Sequence, residues 1–285
     1  MQTDSIELGF LSIFALITFF IFLTTEKYSY KLGSGALLDN DFTKPQAFHN
    51  EAISRSGGLA SFISLTLFIY FYYILYAEIL YEYMLIGFSL FIIGYLGDIK
   101  INISPNKRLI LMIIFLIIFI NVLSIQIYNL DLIFLKYWLE NKIFSNIFIL
   151  LCFLFIINGA NLIDGFNGLL TINLIIINSV LLFLNLTNNN LEISFFLTGQ
   201  IIILISFLLF NFPKAKIFLG DSGSYLFGSI VALNIIYTNN LNPEVSSFFF
   251  CILLFYLFYE VFFSFIRKTY QKKSPVLPDN KHLHM

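Results

Sequence analysis

The stretch NIFILLCFLFIINGANLIDGFNGLLTINLIIINSVLLFLNLT, residues 146–187, decides the fold class. It contains two apolar runs, and Asp164 in the polar turn between them is its only charged residue. Each run has about the 20 residues that an α-helix needs to cross the hydrocarbon core of a bilayer. Because that core offers no hydrogen-bond partners, each run must satisfy its backbone internally by forming a helix. The stretch therefore predicts two membrane-spanning helices joined by a polar turn at one membrane face.

The same pattern continues on both sides of this pair. We predict spans at residues 6–24, 57–76, 80–97, 108–124, 146–163, 168–187, 192–211, 217–237 and 245–266. The composition agrees, because 59% of the 285 residues are hydrophobic and only 12% are charged, whereas a soluble domain is about half apolar and a quarter charged. The less apolar segment 125–145 carries tyrosine and tryptophan, which is typical of an interfacial connection. The expected fold is one all-α, polytopic membrane domain over residues 1–285, with about nine transmembrane helices.

The distribution of basic residues predicts how the chain is oriented. If the N-terminus is outside, the inside segments are 25–56, 98–108, 164–167, 212–216 and 267–285. These segments hold 14 of the 16 lysines and arginines, and only Lys136 and Lys142 lie outside. Cytoplasmic loops carry such an excess of positive charge, so we expect these five segments to be cytoplasmic. The net charge of −1 gives no indication of a nucleic-acid partner.

The polar residues that interrupt the apolar runs gather in or beside the same inside segments. Asp98, Asp164 and Asp221 each stand at the end of a predicted span. Carboxylates there are costly unless they are paired or bind a metal, and Mg²⁺ takes one or two carboxylates and shares its other positions with phosphates and water. Basic side chains that can neutralise a pyrophosphate lie there too: Lys107, Arg108, Lys216, His282 and His284. The pattern predicts an active site for phosphate chemistry at the cytoplasmic face.

Some of these residues also have simpler explanations. Taken alone, Asp98 could be a solvated helix end, and Ser104-Pro105 could simply begin a helix, because proline suits a first turn. The dense runs of asparagine, aspartate and glycine at 158–168 and 211–224 are harder to explain in this way. These two runs indicate a bound ligand.

Four motifs in order resemble those of the polyprenyl-phosphate N-acetylhexosamine-1-phosphate transferases, glycosyltransferase family 4. Residues 158–169 resemble the NAxNLxDGxDGL signature, and residues 211–224 resemble NxxPAxxFxGDxGS. Residues 274–284 resemble the SPxxPDxxHLHH loop, and residues 49–58 resemble H-x-x-x-x-P-R-x-G-G. The superfamily includes phospho-N-acetylmuramoyl-pentapeptide transferase, but the histidine loop is closer to the undecaprenyl-phosphate N-acetylglucosaminyl-1-phosphate transferase branch, which initiates O-antigen, teichoic acid and related glycans.

The resemblance implies a reaction and its partners. An oxygen of undecaprenyl phosphate would attack the β-phosphorus of a UDP-N-acetylhexosamine, and UMP would leave. The chain would then be a multi-pass enzyme of the bacterial inner membrane that begins the synthesis of a cell-surface glycan. The implied partners are the UDP-sugar, undecaprenyl phosphate and membrane lipid, with a homodimer as a further candidate, and the implied cofactor is Mg²⁺ or alternatively Mn²⁺.

The resemblance also implies roles for individual residues. Asp98, Asp164 and Asp221 would be the catalytic residues. Asp221 would bind the metal, and Asp98 would lie near the prenyl phosphate. Asp164, Asn167 and Asn211 would hold the uridine, and Phe218 would stack on the uracil. The remaining implied substrate-binding residues are Asn161 in the first signature, Lys216 in the second, His282 and His284 at the diphosphate, and Lys107 and Arg108 at a phosphate.

The chain departs from the family pattern at four places. Gly97 replaces the first acid of an Asp-Asp pair, so the role proposed for that acid, deprotonation of the lipid phosphate, has no candidate here. A phosphate monoester already carries about 1.5 to 2 negative charges at neutral pH, so a dedicated base is dispensable. Asn167 replaces an aspartate, and Met285 stands where a third histidine can occur. A helix normally follows the histidine loop, so we expect the C-terminal helix to be missing from this chain.

Three alternative functions fit parts of the sequence. A secondary transporter would place its carboxylates near the bilayer midplane, whereas these are predicted at one face. An intramembrane serine protease is suggested by Gly220-Asp221-Ser222-Gly223, which fits a GxSG string, but no predicted span contains a histidine that would activate Ser222. A catalytically impaired relative that only binds the nucleotide sugar is the third alternative, motivated by Gly97.

Overall fold

The computed structural model describes residues 2–31, 35–40, 51–101 and 103–272, and it describes side chains from residue 6 onward. The helices are α1 (Gln2–Tyr28), α2 (Gly57–Tyr76), α3 (Tyr81–Asp98), α4 (Pro105–Val122), α5 (Ile133–Leu139), α6 (Lys142–Ile163), α7 (Leu169–Thr187), α8 (Leu191–Asn211), α9 (Gly220–Leu241), α10 (Ser247–Leu253) and α11 (Phe255–Tyr270). Two short strands, β1 (Leu38–Asp39) and β2 (Ile53–Ser54), pair antiparallel in the segment before α2. The prediction of an all-α polytopic membrane protein is confirmed.

A helix or a helix pair lies at each predicted span, but the last span is not one helix. α10 and α11 meet at a bend of 67°, so the span predicted at 245–266 is broken or re-entrant. Within the described residues, six helices are long and apolar enough to cross a membrane, and the bent pair would make seven. These six are α1, α2, α4, α6, α7 and α8. The prediction of nine spans and of their orientation stays a prediction.

Helix α9 lies at the centre of the bundle, where it packs against α2, α3, α6 and α7. Every residue of α9 from Ser222 to Ile236 is buried. A helix that is surrounded by other helices contacts protein instead of lipid, so it can carry small and polar residues that lipid would penalise. This position explains why α9 has serines, glycines and asparagines along a stretch that the sequence predicts as a span.

The polar side chains inside the bundle are hydrogen-bonded across four helices. Asn234 of α9 donates to Asn178 Oδ1 at 3.1 Å and to Gln200 Oε1 at 2.7 Å, and its own Oδ1 accepts from the Tyr83 hydroxyl at 2.9 Å. Asn178, Gln200 and Asn234 are fully buried. In a lipid environment such interhelical hydrogen bonds fix the register of neighbouring helices, because no water replaces a lost partner.

We expect Asn234→Ala to lower the stability of the protein by about 1–2 kcal/mol, because it removes the centre of this network and leaves Tyr83 and Gln200 without that partner. Thermal unfolding of the purified protein in detergent measures the change. The matched control is Asn121→Ala, since Asn121 is exposed, donates to the carbonyl of Ile117 in its own helix and accepts one hydrogen bond at the surface, from Asn146. Equal losses of stability in the two variants would contradict a special role for the buried network.

Candidate active site

The segments that begin and end five helices meet at one end of the bundle. The segment before α9 runs beside β2, with the Phe218 amide donating to the Ser54 carbonyl at 2.8 Å. The first two amides of α2, from Gly57 and Gly58, donate to the carbonyls of Phe218 and Leu219 at 2.9 Å. The starts of α2 and α9 are thereby tied together. We call this the acidic end, because Asp98, Asp164 and Asp221 belong to it.

Asp98 caps the start of helix α9. One of its carboxylate oxygens accepts the backbone N–H of Asp221 at 3.0 Å, and the other accepts that of Ser222 at 2.9 Å. The first N–H groups of a helix have no partner within the helix, and a negative charge there also interacts favourably with the helix dipole. Asp98 is 1% exposed. Both of its carboxylate oxygens are thus engaged with the start of α9, and the expected place of Asp98 near a prenyl phosphate stays a prediction.

Arg55 is a residue of this end that the sequence reasoning did not select. Its guanidinium donates to Asp39 Oδ2 at 3.1 and 2.6 Å and lies 3.7 Å from Asp98 Oδ1. Burial alone would lower the pKa of Arg55, but the charges of Asp39, Asp98 and Asp221 raise it above its usual value. The arginine thus stays charged and offsets the buried carboxylate of Asp98.

Asp221, the predicted metal ligand, stands in the first turn of α9 with its side chain 25% exposed. Its Oδ1 accepts from the Asn161 amide at 3.0 Å, and its Oδ2 is paired with the guanidinium of Arg108. The Asn161 amide also donates to Ser224 Oγ at 3.0 Å. Two predicted substrate-binding residues, Asn161 and Arg108, therefore contact the predicted metal ligand directly.

The turn between α6 and α7 forms the wall beside Asp221. Burial and the charges of Asp221 and Asp98 raise the pKa of Asp164 well above its usual value, while Arg55 opposes the shift. Asn167 is exposed and donates to the Pro213 carbonyl at 3.0 Å. Asn211 accepts from the Gly168 amide at 2.6 Å and donates to the Ile217 carbonyl at 2.9 Å. The turn and the 212–217 segment are thus held together as one surface.

Asn211 links the two segments that border this surface. It is 5% exposed, and both polar atoms of its side chain are hydrogen-bonded to backbone groups of the two segments. These bonds hold the two segments in place, and the contact with the uridine that the resemblance implies stays a prediction. Asparagine suits both roles because its amide has an acceptor and two donors, so the sequence alone does not separate them.

The remaining predicted residues lie around this surface. Lys107 and Lys216 are exposed, and Phe218 is half-buried with its backbone bonded to β2 and α2. Ser104 caps α4 by accepting from the Lys107 amide, so the simpler explanation of Ser104-Pro105 as a helix start is correct. The predicted diphosphate ligands His282 and His284 lie outside the described residues, as does His49 of the fourth motif.

The donor set at the acidic end fits a divalent cation that shares its ligands with a substrate. Within the described ranges, no group of three or more His, Cys, Asp or Glu side chains is arranged to hold a metal ion. Asp98 is committed to two backbone amides, whereas the carboxylate of Asp221 is partly exposed and is bonded to the side chains of Asn161 and Arg108. Mg²⁺ commonly binds through one or two carboxylates and completes its coordination with phosphates and water. Asp221 can serve such an ion once a substrate diphosphate is present.

Two of the alternative functions do not fit this geometry. Ser222, the nucleophile that a protease would need, is fully buried, and a side chain at Gly58 would contact its hydroxyl. The three carboxylates lie at the end of α3, after α6 and at the start of α9, so they gather at one end of the bundle. This arrangement does not support a transporter site near the middle of the spans.

Comparison with known proteins identifies the family of the chain. The family model described as glycosyl transferase family 4 matches residues 80–239, which include Asp98, Asp164 and Asp221. An undecaprenyl-phosphate alpha-N-acetylglucosaminyl 1-phosphate transferase of Thermotoga maritima is 27% identical over 274 residues, covering 95% of this chain and 78% of the relative. A probable undecaprenyl-phosphate N-acetylglucosaminyl 1-phosphate transferase of Bacillus subtilis is 27% identical over 241 residues, covering 83% of this chain and 66% of the relative.

A shorter match reaches the other branch of the superfamily. A phospho-N-acetylmuramoyl-pentapeptide-transferase of Leuconostoc mesenteroides is 45% identical over 76 residues, covering 27% of this chain and 24% of the relative. Two long matches follow the branch that the histidine loop indicated. A third, a phospho-N-acetylmuramoyl-pentapeptide-transferase of Dictyoglomus turgidum, is 28% identical over 236 residues, covering 76% of this chain and 71% of the relative. Together with the apolar helices, these bacterial relatives identify a multi-pass protein of the bacterial inner membrane.

Proposed function

The chain belongs to glycosyl transferase family 4, and we propose that it transfers N-acetylhexosamine 1-phosphate from a UDP-sugar to undecaprenyl phosphate with release of UMP. The observation that carries this proposal is the capped start of α9, where Asp98 orients Asp221 beside Asn161 and Arg108. N-acetylglucosamine is the first sugar to test, because the relative that covers 95% of this chain is named for it. The product would begin a cell-surface glycan.

The proposed reaction is a direct displacement at phosphorus. An oxygen of the lipid phosphate forms a bond to the β-phosphorus of the UDP-sugar, and the bond from that phosphorus to the bridging oxygen breaks, so UMP leaves with the electron pair. Positioning and charge neutralisation supply most of the rate enhancement in such transfers. In this site Arg108, Lys107 and Lys216 offer positive charge to the phosphates. Mg²⁺, or Mn²⁺ in its place, would add a Lewis acid at Asp221 that offsets charge on the diphosphate.

The nucleotide is proposed to bind on the surface made by the α6–α7 turn and the 212–217 segment. Asn167 is exposed there and Phe218 is half-buried, so an amide and an aromatic ring are available to a uridine. Asp164 lies in the same turn. The prenyl chain of the acceptor would stay in the bilayer beside the apolar helices while its phosphate reaches the acidic end, which accounts for a polar site at the end of membrane helices.

Release of UMP by the purified protein tests the proposed reaction. The assay supplies undecaprenyl phosphate, Mg²⁺ and a panel of UDP-sugars, and it compares the wild type with Asp221→Asn. We expect lipid-dependent UMP from one N-acetylhexosamine, and a decrease of about 100-fold or more in Asp221→Asn, since removing one charge that acts on the transition state has effects of this size.

Asp131→Asn is the matched control. Asp131 lies beyond the opposite end of α9, where its carboxylate accepts from Ser246 and Ser247, and its substitution should change the rate less than about twofold. If a folded sample releases no UMP from any UDP-sugar and still binds a nucleotide sugar, the chain is instead a catalytically impaired relative, and the proposal fails.

A further inference from the structure

The guanidinium of Arg108 occupies the position where a cation would bind to Asp221. It is paired with Asp221 Oδ2, while Oδ1 accepts from Asn161, so both oxygens of the predicted metal ligand are engaged. Both side chains of the ion pair are largely enclosed, with 19% of Arg108 and 25% of Asp221 exposed. A divalent cation that approaches Asp221 must therefore compete with an arginine that already neutralises it.

Gly97 provides the space for this arginine. A Cβ atom added at Gly97 would lie 2.9 Å from Arg108 Nη1 and 3.1 Å from Asp221 Oδ2. Any side chain at position 97 would push against the ion pair, and the part that would yield is the far end of the flexible arginine. The replacement of an acid by Gly97, which is a departure from the family pattern, is thus linked in this structure to the placement of Arg108.

Arg108 is held in a way that lets it change partners. Its Nη1 is bonded to Asp221, but its Nε is buried without a hydrogen-bond partner among the described residues. A guanidinium has five N–H donors and binds carboxylates and phosphates most strongly through two parallel hydrogen bonds. Arg108 therefore keeps an unused donor that a phosphate oxygen can accept. Its pairing with Asp221 through one nitrogen is also weaker than a bidentate pairing through two.

On the basis of the proposed function, we propose that Arg108 holds Asp221 in the substrate-free protein and exchanges it for a substrate phosphate when the divalent cation arrives with the diphosphate. Arg108 and the metal ion therefore bind the carboxylate of Asp221 alternately. The metal site is then conditional on substrate: Asp221 binds the cation weakly while Arg108 is paired with it, and strongly once the diphosphate offers Arg108 a new partner. This makes Arg108 a positioning residue for the metal ligand as well as a phosphate contact.

Binding of Mn²⁺ to the purified protein without any substrate tests this exchange, with free Mn²⁺ followed by electron paramagnetic resonance. Arg108→Gln removes the competing charge, and Gly97→Ala keeps the arginine but displaces it. We expect Arg108→Gln to bind Mn²⁺ at least about tenfold more tightly than the wild type, because a full positive charge leaves the immediate surroundings of the carboxylate. Gly97→Ala should give a smaller gain, since the arginine is displaced but keeps its charge. Adding Asp221→Asn to Arg108→Gln should abolish the gain.

Lys100→Gln is the matched control for a general change of charge. Lys100 is exposed near the same end and donates to Asn40 at 2.9 Å, so its substitution should alter Mn²⁺ affinity less than about twofold. Equal affinity of the wild type and Arg108→Gln, or a gain that survives Asp221→Asn, would overturn the exchange. The assay contains no UDP-sugar or lipid, so its result is independent of UMP release, and the failure of one proposal is distinguishable from failure of the other.

Discussion

Asp98→Ala is expected to decrease the rate of UMP release by at least about 100-fold and the stability of the protein by about 3–5 kcal/mol. The substitution leaves the amides of Asp221 and Ser222 without their acceptor and removes a charge 3.7 Å from Arg55. Unpaired buried groups of this kind account for the largest single-residue losses. Because the amide of Asp221 itself is bonded to Asp98, loss of the cap also moves the predicted metal ligand. Thermal unfolding and UMP release are measured on the same samples.

Two further variants separate the cap from other roles of the carboxylate. Asp98→Asn keeps one acceptor oxygen but turns an NH₂ group toward a backbone N–H. Its rate of UMP release and its stability should therefore lie between those of the wild type and of Asp98→Ala. Asp39→Ala removes the other carboxylate on Arg55 without touching α9, and its effect on rate should be much smaller. If Asp98→Ala unfolded like the wild type and lost only activity, Asp98 would act on the substrate directly, as the family resemblance implied.

The sequence predicts the helices and the acidic end because both depend on local pattern. Apolar runs of sufficient length identify the outer helices, and interruptions by asparagine, aspartate and glycine identify the turns that gather at one end. The bend between α10 and α11 was missed because hydropathy measures how apolar a segment is and carries no information on its direction. Hydropathy also does not distinguish a helix enclosed by protein, such as α9, from one that faces lipid.

The ion pairs of the site were not predictable in the same way. Arg55 and Asp98 are distant in sequence, and Arg108 and Asp221 are separated by 113 positions. Arg55 stands just before α2 and Arg108 lies in α4, so only the folded bundle brings them to Asp98 and Asp221. The need for a partner follows from the cost of a buried charge, but its identity requires the fold. For the same reason the departure at Gly97 could be noted from the sequence, while its connection to Arg108 could not.

Gly220→Ala is expected to resemble Asp98→Ala, with a loss of about 2–4 kcal/mol in stability and a decrease in rate of about 100-fold. Gly220 has a φ of +77°, in the left-handed region that costs other residues about 1–2 kcal/mol. A Cβ atom there would also lie 2.7 Å from both carboxylate oxygens of Asp98. Since those oxygens are fixed by two backbone amides, the added methyl group must displace the carboxylate of Asp98 from the start of α9. The same unfolding and UMP-release assays measure both effects.

Gly9→Ala is the matched control, because an added Cβ at Gly9 in α1 meets nothing within 4 Å and its φ is ordinary. Alanine in a helix interior is favoured over glycine by about 0.5–1 kcal/mol, so this variant should be as stable as the wild type or more so. The double variant Gly220→Ala/Asp98→Ala decides the mechanism. If both substitutions act by removing one cap, the double variant should lose little more than the worse single variant. Additive losses would mean that the strained backbone and the carboxylate support α9 independently, and that Asp221 is positioned by more than its contact with Asp98.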